Sequence, residues 1–316
     1  MIPDVLAKLR TRLMQAIAKR GPGTRVAIVG WSAAAIELAA DPMFRTGAAS
    51  LIGHYALEEG GVVLALRELA TVAPDIVVIA EDEGKEALLD AVAGLVHPAT
   101  AIVIGGFGHL AFRDEVFDRV GRDVLIPSFA NGYPNCLVHI YQCLRNAHAR
   151  GLDGVVAEFG MFKGGTTMLI SRFVEELGAD WKVIGFDTFD GFPPKRSALD
   201  MYVHPDCVFL DVDLVRAVFG NRNVEVVKGD VVETLSRLAD ERLVLSFVDT
   251  DNYTSASAIL AVVADRTQVG GAIVFDHWTG VDRHLDTIGE RMAARTLAAD
   301  RRYFNLHGTG VFLRQE

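Results

Sequence analysis

Residues 157–170 read AEFGMFKGGTTMLI, and this stretch decides how the C-terminal half of the chain is expected to fold. An acidic residue, Glu158, stands two positions before Gly160, and the small residues Gly164–Thr166 begin an apolar run with helical character. Glycines between a strand and a helix let a ligand approach the backbone, and the first N–H groups of the helix can bind it. The stretch therefore predicts a strand–loop–helix unit with a ligand at its loop.

The spacing of this loop indicates a cationic ligand rather than a dinucleotide. Dinucleotide-binding loops read G-x-G-x-x-G, whereas this loop reads E-x-G-x-x-x-G-G. A buried carboxylate at Glu158 would repel a pyrophosphate, but it would attract an ammonium or a sulfonium group. The stretch therefore favours a ligand that carries a positive charge and an amino-acid end.

The composition is that of a globular protein of 316 residues, half of them hydrophobic, with a formal net charge of −10. This length predicts two domains, and the negative charge disfavours nucleic acid as a partner. No stretch is apolar enough to span a membrane, and residues 1–20 read as a charged amphipathic helix rather than a signal peptide. Three cysteines without a C-x-x-C pair predict a cytoplasmic setting, and the sequence is compatible with a homo-oligomer.

Short runs rich in Val and Ile alternate with helical patterns along the whole chain, which predicts an α/β protein with parallel sheets. Three such runs, RVAIVG, DIVVIA and TAIVIGG, occur in the first half, and five follow in the second. The final residues 301–316 predict two antiparallel strands around a turn. We therefore expect a smaller Rossmann-like accessory domain with an N-terminal helix at 1–125. A Rossmann-like sheet at 126–316 is expected to be mostly parallel with an antiparallel last strand.

The first half begins like a nucleotide-binding strand–turn–helix, but its fingerprint is incomplete. The turn in RVAIVGWSAAA has one glycine where the fingerprint requires three. We expect an accessory domain that binds no dinucleotide; it would shape the acceptor site, hold a partner subunit or bind a sugar nucleotide. The missing glycines also disfavour a rival function, that of a nicotinamide-dependent oxidoreductase.

Every predicted strand of the second half ends in an acidic residue. Because ligands of open parallel sheets bind beyond the carboxyl ends of the strands, these side chains are expected to gather at one edge. In strand order they are Glu158, Asp187, Asp230, Asp249 with Asp251, and Asp276 followed by His277. A single acid at such a position often caps the next helix, and this alternative stays open for Asp230.

The positions of two of these acids indicate the ligand. Asp187 is placed to accept hydrogen bonds from ribose hydroxyls, and Asp230 could accept one from an adenine amino group. Together with the cationic, amino-acid end expected near Glu158, these groups describe S-adenosylmethionine.

Several segments give residues 135–316 a resemblance to a known family. They are VVAEFGMFKGGTTMLISRFVEELG, VIGFDTFDGFP, NVEVVKGDVVETL, LSFVDTDNYTSASAIL and VGGAIVFDHW. The chain resembles the macrocin O-methyltransferase (TylF-like) family of class I S-adenosylmethionine-dependent methyltransferases. The resemblance implies a seven-stranded sheet, methyl transfer to a hydroxyl of a small molecule such as a sugar or natural-product intermediate, and a bound Mg²⁺.

The resemblance also implies roles for individual residues. Family members carry a pattern like I-D-x-D-x-Y, here VDTDNY, so Asp249 falls on a metal-ligand position and Asp251 on that of the general base. Contacts with the cofactor are expected from the glycine loop and the strand ends. These residues are Glu158, Gly160, Gly164, Gly165, Thr166, Asp187, Phe189, Asp230 and Asp249.

The chain departs from the family at one site position, where two adjacent aspartates are replaced by Asp276 and His277. Imidazole suits softer ions such as Mn²⁺ better than Mg²⁺, which prefers oxygen ligands. Three interpretations follow. His277 binds such an ion together with Asp249 and Asp276; or it is the general base of a metal-independent enzyme; or the metal is lost and His277 only packs or caps. A separate rival is a non-catalytic protein that keeps the fold and binds S-adenosylmethionine or a partner.

The segment at 196–209, between the second strand of this half and the next helix, is long and mixed in composition. Its composition predicts one of two structures. It is either a lid whose His204 and Asp206 contact the acceptor, or an ordered surface loop.

Overall fold

The computed structural model divides the chain into two compact units, residues 1–112 and 113–316. The described residues are 2–57, 64–106, 112–122, 124–130, 135–279 and 285–316.

The first unit is a parallel sheet of strand order β3–β2–β1–β4–β5 with helices around it. Its strands are β1 (Arg25–Val29), β2 (Ser50–Ala56), β3 (Leu64–Ala65), β4 (Ile76–Ile79) and β5 (Ala101–Ile104). Its helices are α1 (Ile2–Arg20), α2 (Ala33–Ala39), α3 (Leu69–Val72) and α4 (Lys85–Leu95), with 3₁₀ turns at Pro42–Phe44 and Leu66–Glu68. This order is that of a Rossmann fold, which confirms the predicted class.

Two of these strands are absent from the sequence prediction, which identified only the runs that became β1, β4 and β5. The missed strand β2 reads SLIGHYA and is mostly half-buried, so it lacks the continuous apolar character of β4. The other, β3, pairs through two residues only, Leu64 and Ala65. The mixed composition of β2 and the short length of β3 explain why the sequence pattern did not identify them.

The second unit is built on a sheet of order β11–β12–β10–β9–β6–β7–β8. Its strands are β6 (Val155–Phe159), β7 (Lys182–Asp187), β8 (Val224–Lys228), β9 (Leu243–Val248), β10 (Thr267–Phe275), β11 (Tyr303–Asn305) and β12 (Val311–Arg314). Its helices are α5 (Glu115–Gly121), α6 (Cys136–Ala149), α7 (Gly165–Leu177), α8 (Val212–Phe219), α9 (Val231–Thr234), α10 (Tyr253–Arg266) and α11 (Ile288–Ala298). Further 3₁₀ turns lie at Leu235–Leu238 and Leu285–Thr287.

The sheet of the second unit is parallel from β6 to β10, and β12 runs antiparallel to both β10 and β11. This confirms the predicted mostly parallel sheet with an antiparallel last strand. No helix of the described ranges is long and apolar enough to cross a membrane.

The central strands β6 and β9 are buried on both faces, and they mark the point where the chain changes direction across the sheet. From β6 the chain continues to β7 and β8 on one side, and it then returns to β9 on the other side. Ligands of such sheets bind at this switch point. The carboxyl ends of β6 and β9 are therefore the expected position of the functional site.

The loop after β6 approaches the end of β9 through Gly160. This residue has a φ of +90°, and a Cβ there would overlap the carbonyl oxygen of Asp249. Gly178, the C-cap of α7, also has a positive φ, of +67°, but open space surrounds it.

We expect Gly160→Ala to lower the free energy of unfolding by about 2 kcal/mol more than Gly178→Ala. Both changes place a side chain on left-handed backbone, but only the first also meets a neighbouring strand end. Urea denaturation followed by circular dichroism measures both losses. Equal losses would contradict the close approach.

Candidate active site

A cavity of about 550 Å³ opens at the carboxyl ends of the strands of the second unit. Its size is in the range of small-molecule sites. Residues that follow five strands line it: Gly160, Phe162 and Lys163 after β6, Asp187 and Thr188 at β7, Gly229 and Val231 after β8, Asp249, Thr250 and Asp251 after β9, and His277 after β10.

Glu158 lies inside β6 and does not line this cavity. Its side chain is 1% exposed, and the hydroxyl of Thr167 on α7 donates a hydrogen bond to its Oε2. Burial, reinforced by the charge of Asp187, raises the pKa of Glu158 to about 8. Glu158 is therefore a buried, proton-retaining acid that joins β6 to α7, and direct contact with a ligand stays a prediction.

Of the glycine-loop residues expected to contact the cofactor, Gly160 lines the cavity, whereas Gly164, Gly165 and Thr166 do not. Gly164 precedes α7 with a φ of +82°, and a Cβ on Gly165 would overlap the carbonyl oxygen of Pro127. The hydroxyl of Thr166 lies 2.7 Å from that of Ser128. Gly165 and Thr166 hold the start of α7 against the segment that precedes α6.

Asp187 shapes the loops around the cavity. Its Oδ1 accepts the N–H of Phe189 at 2.6 Å, and its Oδ2 accepts the N–H of Phe162 at 2.8 Å. Both phenylalanines have left-handed backbone, with φ of +59° and +49°, which is uncommon for residues other than glycine. Asp187 therefore fixes two unusual turns while its carboxylate still faces the cavity. Phe189 itself is fully buried and does not line it.

Asp230 adopts the helix-capping role that the sequence left open. Its Oδ1 accepts the N–H of Val232 at 3.0 Å, and its Oδ2 pairs with Arg196 at 2.8 Å. Its neighbours Gly229 and Val231 line the cavity, whereas Asp230 does not. A contact with adenine stays a prediction for this residue.

The acids after β9 and β10 converge on His277. Its Nε2 lies 3.0 Å from Asp251, 3.3 Å from Asp276 and 3.9 Å from Asp249. The strands β9 and β10 pair in parallel up to the residues just before these acids, and this pairing brings them together. Asp276 is fully buried and does not line the cavity, whereas the other three do.

The protonation of this cluster is strongly perturbed. Burial alone would lower the pKa of His277, but its hydrogen bond to Asp251 and the charges of Glu290 and Asp276 outweigh it and raise the pKa to about 9. Burial, with the charges of Asp276 and Asp251, raises the pKa of Asp249. The cluster therefore retains protons at neutral pH.

The donor set fits a divalent cation. One ligand atom from each of Asp249, Asp251 and His277 lies within 4.8 Å of the others. Two carboxylates and an imidazole are a usual donor combination for Mn²⁺ or a similar ion, and a cation would offset the crowded negative charge.

Glu290, on α11, belongs to this cluster, and the sequence reasoning missed it. It is fully buried, its Oε2 accepts the N–H of Asp251 at 3.1 Å, and burial raises its pKa to about 8. The available signal was its position on an otherwise apolar helix face. That face comprises Gly289, Ala293, Ala294 and Leu297.

The segment at 196–209 is an ordered wall of the cavity that is tied to the start of α10. Asp200 accepts hydrogen bonds from the N–H and the hydroxyl of Thr254, at 2.8 and 2.7 Å. Asn252 and Tyr202 exchange two further bonds, at 3.0 and 2.9 Å. From this segment, the residues that line the cavity are Tyr202, His204, Asp206 and Cys207.

A known family of proteins matches the second unit of the chain. The profile of the family described as Macrocin-O-methyltransferase (TylF) matches residues 119–315, which is more than half of the chain. No protein with a curated description matches the chain.

Several solved structures are similar to part of the chain. The O-methyltransferase NovP is 22% identical over 57% of this chain and 78% of its own, with a TM-score of 0.46. The calicheamicin methyltransferase CalS11 is 20% identical over 65% and 95%, with a TM-score of 0.46. An O-methyltransferase from Bacillus cereus in complex with SAH is 16% identical over 64% and 90%, with a TM-score of 0.38.

The buried acid Glu158 generates a prediction about pH and stability. Its folded pKa of about 8 lies above the ordinary value of 4.5, so the folded chain binds the extra proton between these values and stability falls as pH rises through that window. Between about pH 5 and about pH 8.5, we expect the free energy of unfolding to fall in the wild type. In Glu158→Gln we expect this fall to be smaller by at least about 2 kcal/mol.

The matched control is Glu176→Gln on α7. A hydrogen bond from Arg119 lowers the pKa of Glu176, so this acid is ionised throughout the window and its variant keeps the wild-type pH dependence. Chemical denaturation at both pH values measures the difference. A Glu158→Gln protein as pH-sensitive as the wild type would refute the role of this carboxyl.

Proposed function

Since the chain belongs to the macrocin O-methyltransferase family of S-adenosylmethionine-dependent methyltransferases, we propose that it methylates a hydroxyl of a small molecule with the help of a divalent cation. The acceptor is a sugar or a natural-product intermediate. One observation carries the cation part of the proposal, namely the convergence of Asp249, Asp251 and His277 beside a cavity at the sheet edge.

The cofactor fits the cavity at the loops after β6 and β7. S-adenosylmethionine supplies a methyl group on a positively charged sulfur, which is already a good leaving group. Gly160 and Asp187 line the cavity, and Asp187 would accept hydrogen bonds from the ribose of the cofactor. The negative charge of the strand ends favours a cationic sulfonium over neutral analogues. The buried Glu158 supports the loop from within the sheet.

The acceptor would react at the acid cluster. Asp249 and His277, with Asp276 next to them, would hold a cation such as Mg²⁺ or Mn²⁺, which lowers the pKa of a bound hydroxyl. Asp251 would accept the proton of that hydroxyl. S-adenosylmethionine would supply the methyl group, which would pass from sulfur to the acceptor oxygen and leave S-adenosylhomocysteine. The residues act mainly by positioning, because the displacement requires an in-line approach.

Two alternatives are less well supported. A metal-independent reaction with His277 as base leaves the crowded acids Asp249, Asp251 and Asp276 without a cation to offset their charge. A non-catalytic binding protein would have no need for a strained, converged Asp251 at the cavity.

We also propose that the first unit is an accessory domain without a dinucleotide. Glu81 supports this, because its Oε2 accepts the N–H of Trp31 at 2.7 Å in the turn after β1. A pyrophosphate would need that N–H group, and it would be repelled by the carboxylate.

The cofactor assignment predicts the behaviour of Asp187. We expect Asp187→Asn to weaken the binding of S-adenosylhomocysteine at least about 10-fold, or about 1.4 kcal/mol, because ribose contacts and two loop turns depend on this carboxylate. Isothermal titration calorimetry measures the affinity. The control Asp190→Asn changes a 62% exposed neighbour and should bind like the wild type. Equal affinities of all three proteins would contradict the assignment.

The cation assignment predicts a metal-dependent activity. With labelled S-adenosylmethionine, polyhydroxylated acceptors and Mg²⁺ or Mn²⁺, we expect turnover that a chelator abolishes. We expect Asp249→Asn to lower the rate about 100-fold or more, whereas Asp240→Asn, an exposed acid before β9, keeps it. Turnover that survives the chelator but is lost in His277→Ala would overturn the metal mechanism. Cofactor binding without any turnover would favour the binding-protein alternative.

A further inference from the structure

Glu290 stands apart from the other acids of the cluster because it comes from a helix rather than from a strand end. Its side chain is fully buried on α11, and its Oε2 accepts the backbone N–H of Asp251 at 3.1 Å. The other oxygen, Oε1, finds no hydrogen-bond partner among the described residues. A buried carboxylate is costly to maintain, so this contact calls for an explanation.

The residue that Glu290 contacts has an unusual backbone. Asp251 has a φ of +60°, in the left-handed region that non-glycine residues seldom occupy. Two contacts hold it there: Glu290 binds its N–H, and His277 lies 3.0 Å from its carboxylate. Backbone in this region persists where the surroundings determine it, and such residues are common at functional sites.

The approach of α11 to this loop depends on the residue before Glu290. A Cβ on Gly289 would overlap the carbonyl oxygen of Leu199 and lie 2.8 Å from the backbone nitrogen of Tyr253, the first residue of α10. Only a glycine allows α11 to pack this closely. The chain thus has a specific arrangement that brings the Glu290 carboxyl to the loop carrying Asp251.

We propose that Glu290 is a positioning residue of the active site, whose acceptor oxygen fixes the N–H of Asp251 and so directs the Asp251 carboxylate toward His277 and the cavity. The consequence for catalysis rests on the proposed function, in which Asp251 takes the acceptor proton next to a cation. The contact itself does not depend on that function. No assignment from the sequence or the family resemblance includes this residue.

Two variants of similar size separate the hydrogen bond from the ionisable carboxyl. Glu290→Gln removes the ionisable group but keeps an acceptor oxygen, whereas Glu290→Met removes both and suits the apolar face of α11. The methionine side chain is close in volume to the glutamate it replaces and lies on the buried face of α11 with Ala293, Ala294 and Leu297, so the variant is expected to fold. A difference between the two variants therefore reports the hydrogen bond to Asp251.

The first measurement is amide hydrogen exchange at Asp251, read by mass spectrometry with single-residue resolution. We expect Glu290→Gln to keep protection within about 3-fold of the wild type, and Glu290→Met to lose at least about 10-fold. Equal exchange in the two variants would overturn the proposal. The amide of Leu245, within β9, serves as the control and should exchange alike in all three proteins.

The second measurement is the affinity for Mn²⁺ by calorimetry. We expect Glu290→Met to bind Mn²⁺ at least about 10-fold more weakly than Glu290→Gln, which stays close to the wild type, because residues that orient metal ligands affect affinity by about 10- to 100-fold. Equal weakening of both variants would show that the ionisable carboxyl itself matters, and it would overturn positioning. A wild type that takes up no Mn²⁺ would refute the cation part of the proposed function, and amide exchange would still decide on Glu290.

Discussion

The site depends on the crowding of negative charge at one buried edge of the second sheet. Asp249, Asp251, Asp276 and Glu290 lie around the imidazole of His277, and burial makes the ionised forms of Asp249 and Glu290 costly. Such a cluster is stable only if it retains protons or gains a positive charge. The imidazolium supplies part of that charge. A divalent ion and a sulfonium donor would supply more, which relates the folding of this edge directly to the ligands of the proposed reaction.

The acids are held by backbone contacts rather than by one another. Asp187 accepts two N–H groups from left-handed turns, Glu290 accepts that of Asp251, and Asp230 caps α9. The close approach at Gly160 then fixes the loop after β6 against the end of β9. The geometry of the cavity thus follows from the switch point of the sheet, where neighbouring strands end side by side.

The sequence predicted those features that depend on local pattern. Apolar runs ending in acids identified β6 to β10, and the turn near the C-terminus identified the antiparallel addition. It did not reveal β2, because a half-buried strand has a mixed composition, nor Glu290, because its contact with Asp251 spans 39 positions. The inward direction of Glu158 was also beyond reach, since the pleat of β6 turns this side chain toward α7. The position of β2, the contact of Glu290 and the direction of Glu158 all depend on packing between elements.

The segment at 196–209, which forms one wall of the cavity, is bound to the start of α10 at one end. Asp200 and Asn252 anchor one end of the segment at 196–209 to the helix that follows Asp251, while residues 203–206 at its tip are exposed. Substitutions or insertions at this tip can therefore alter which molecules are admitted without disturbing the acids beneath. Proteins with this fold could therefore evolve to accept different molecules through changes in residues 203–206 alone, while the acid cluster keeps its arrangement.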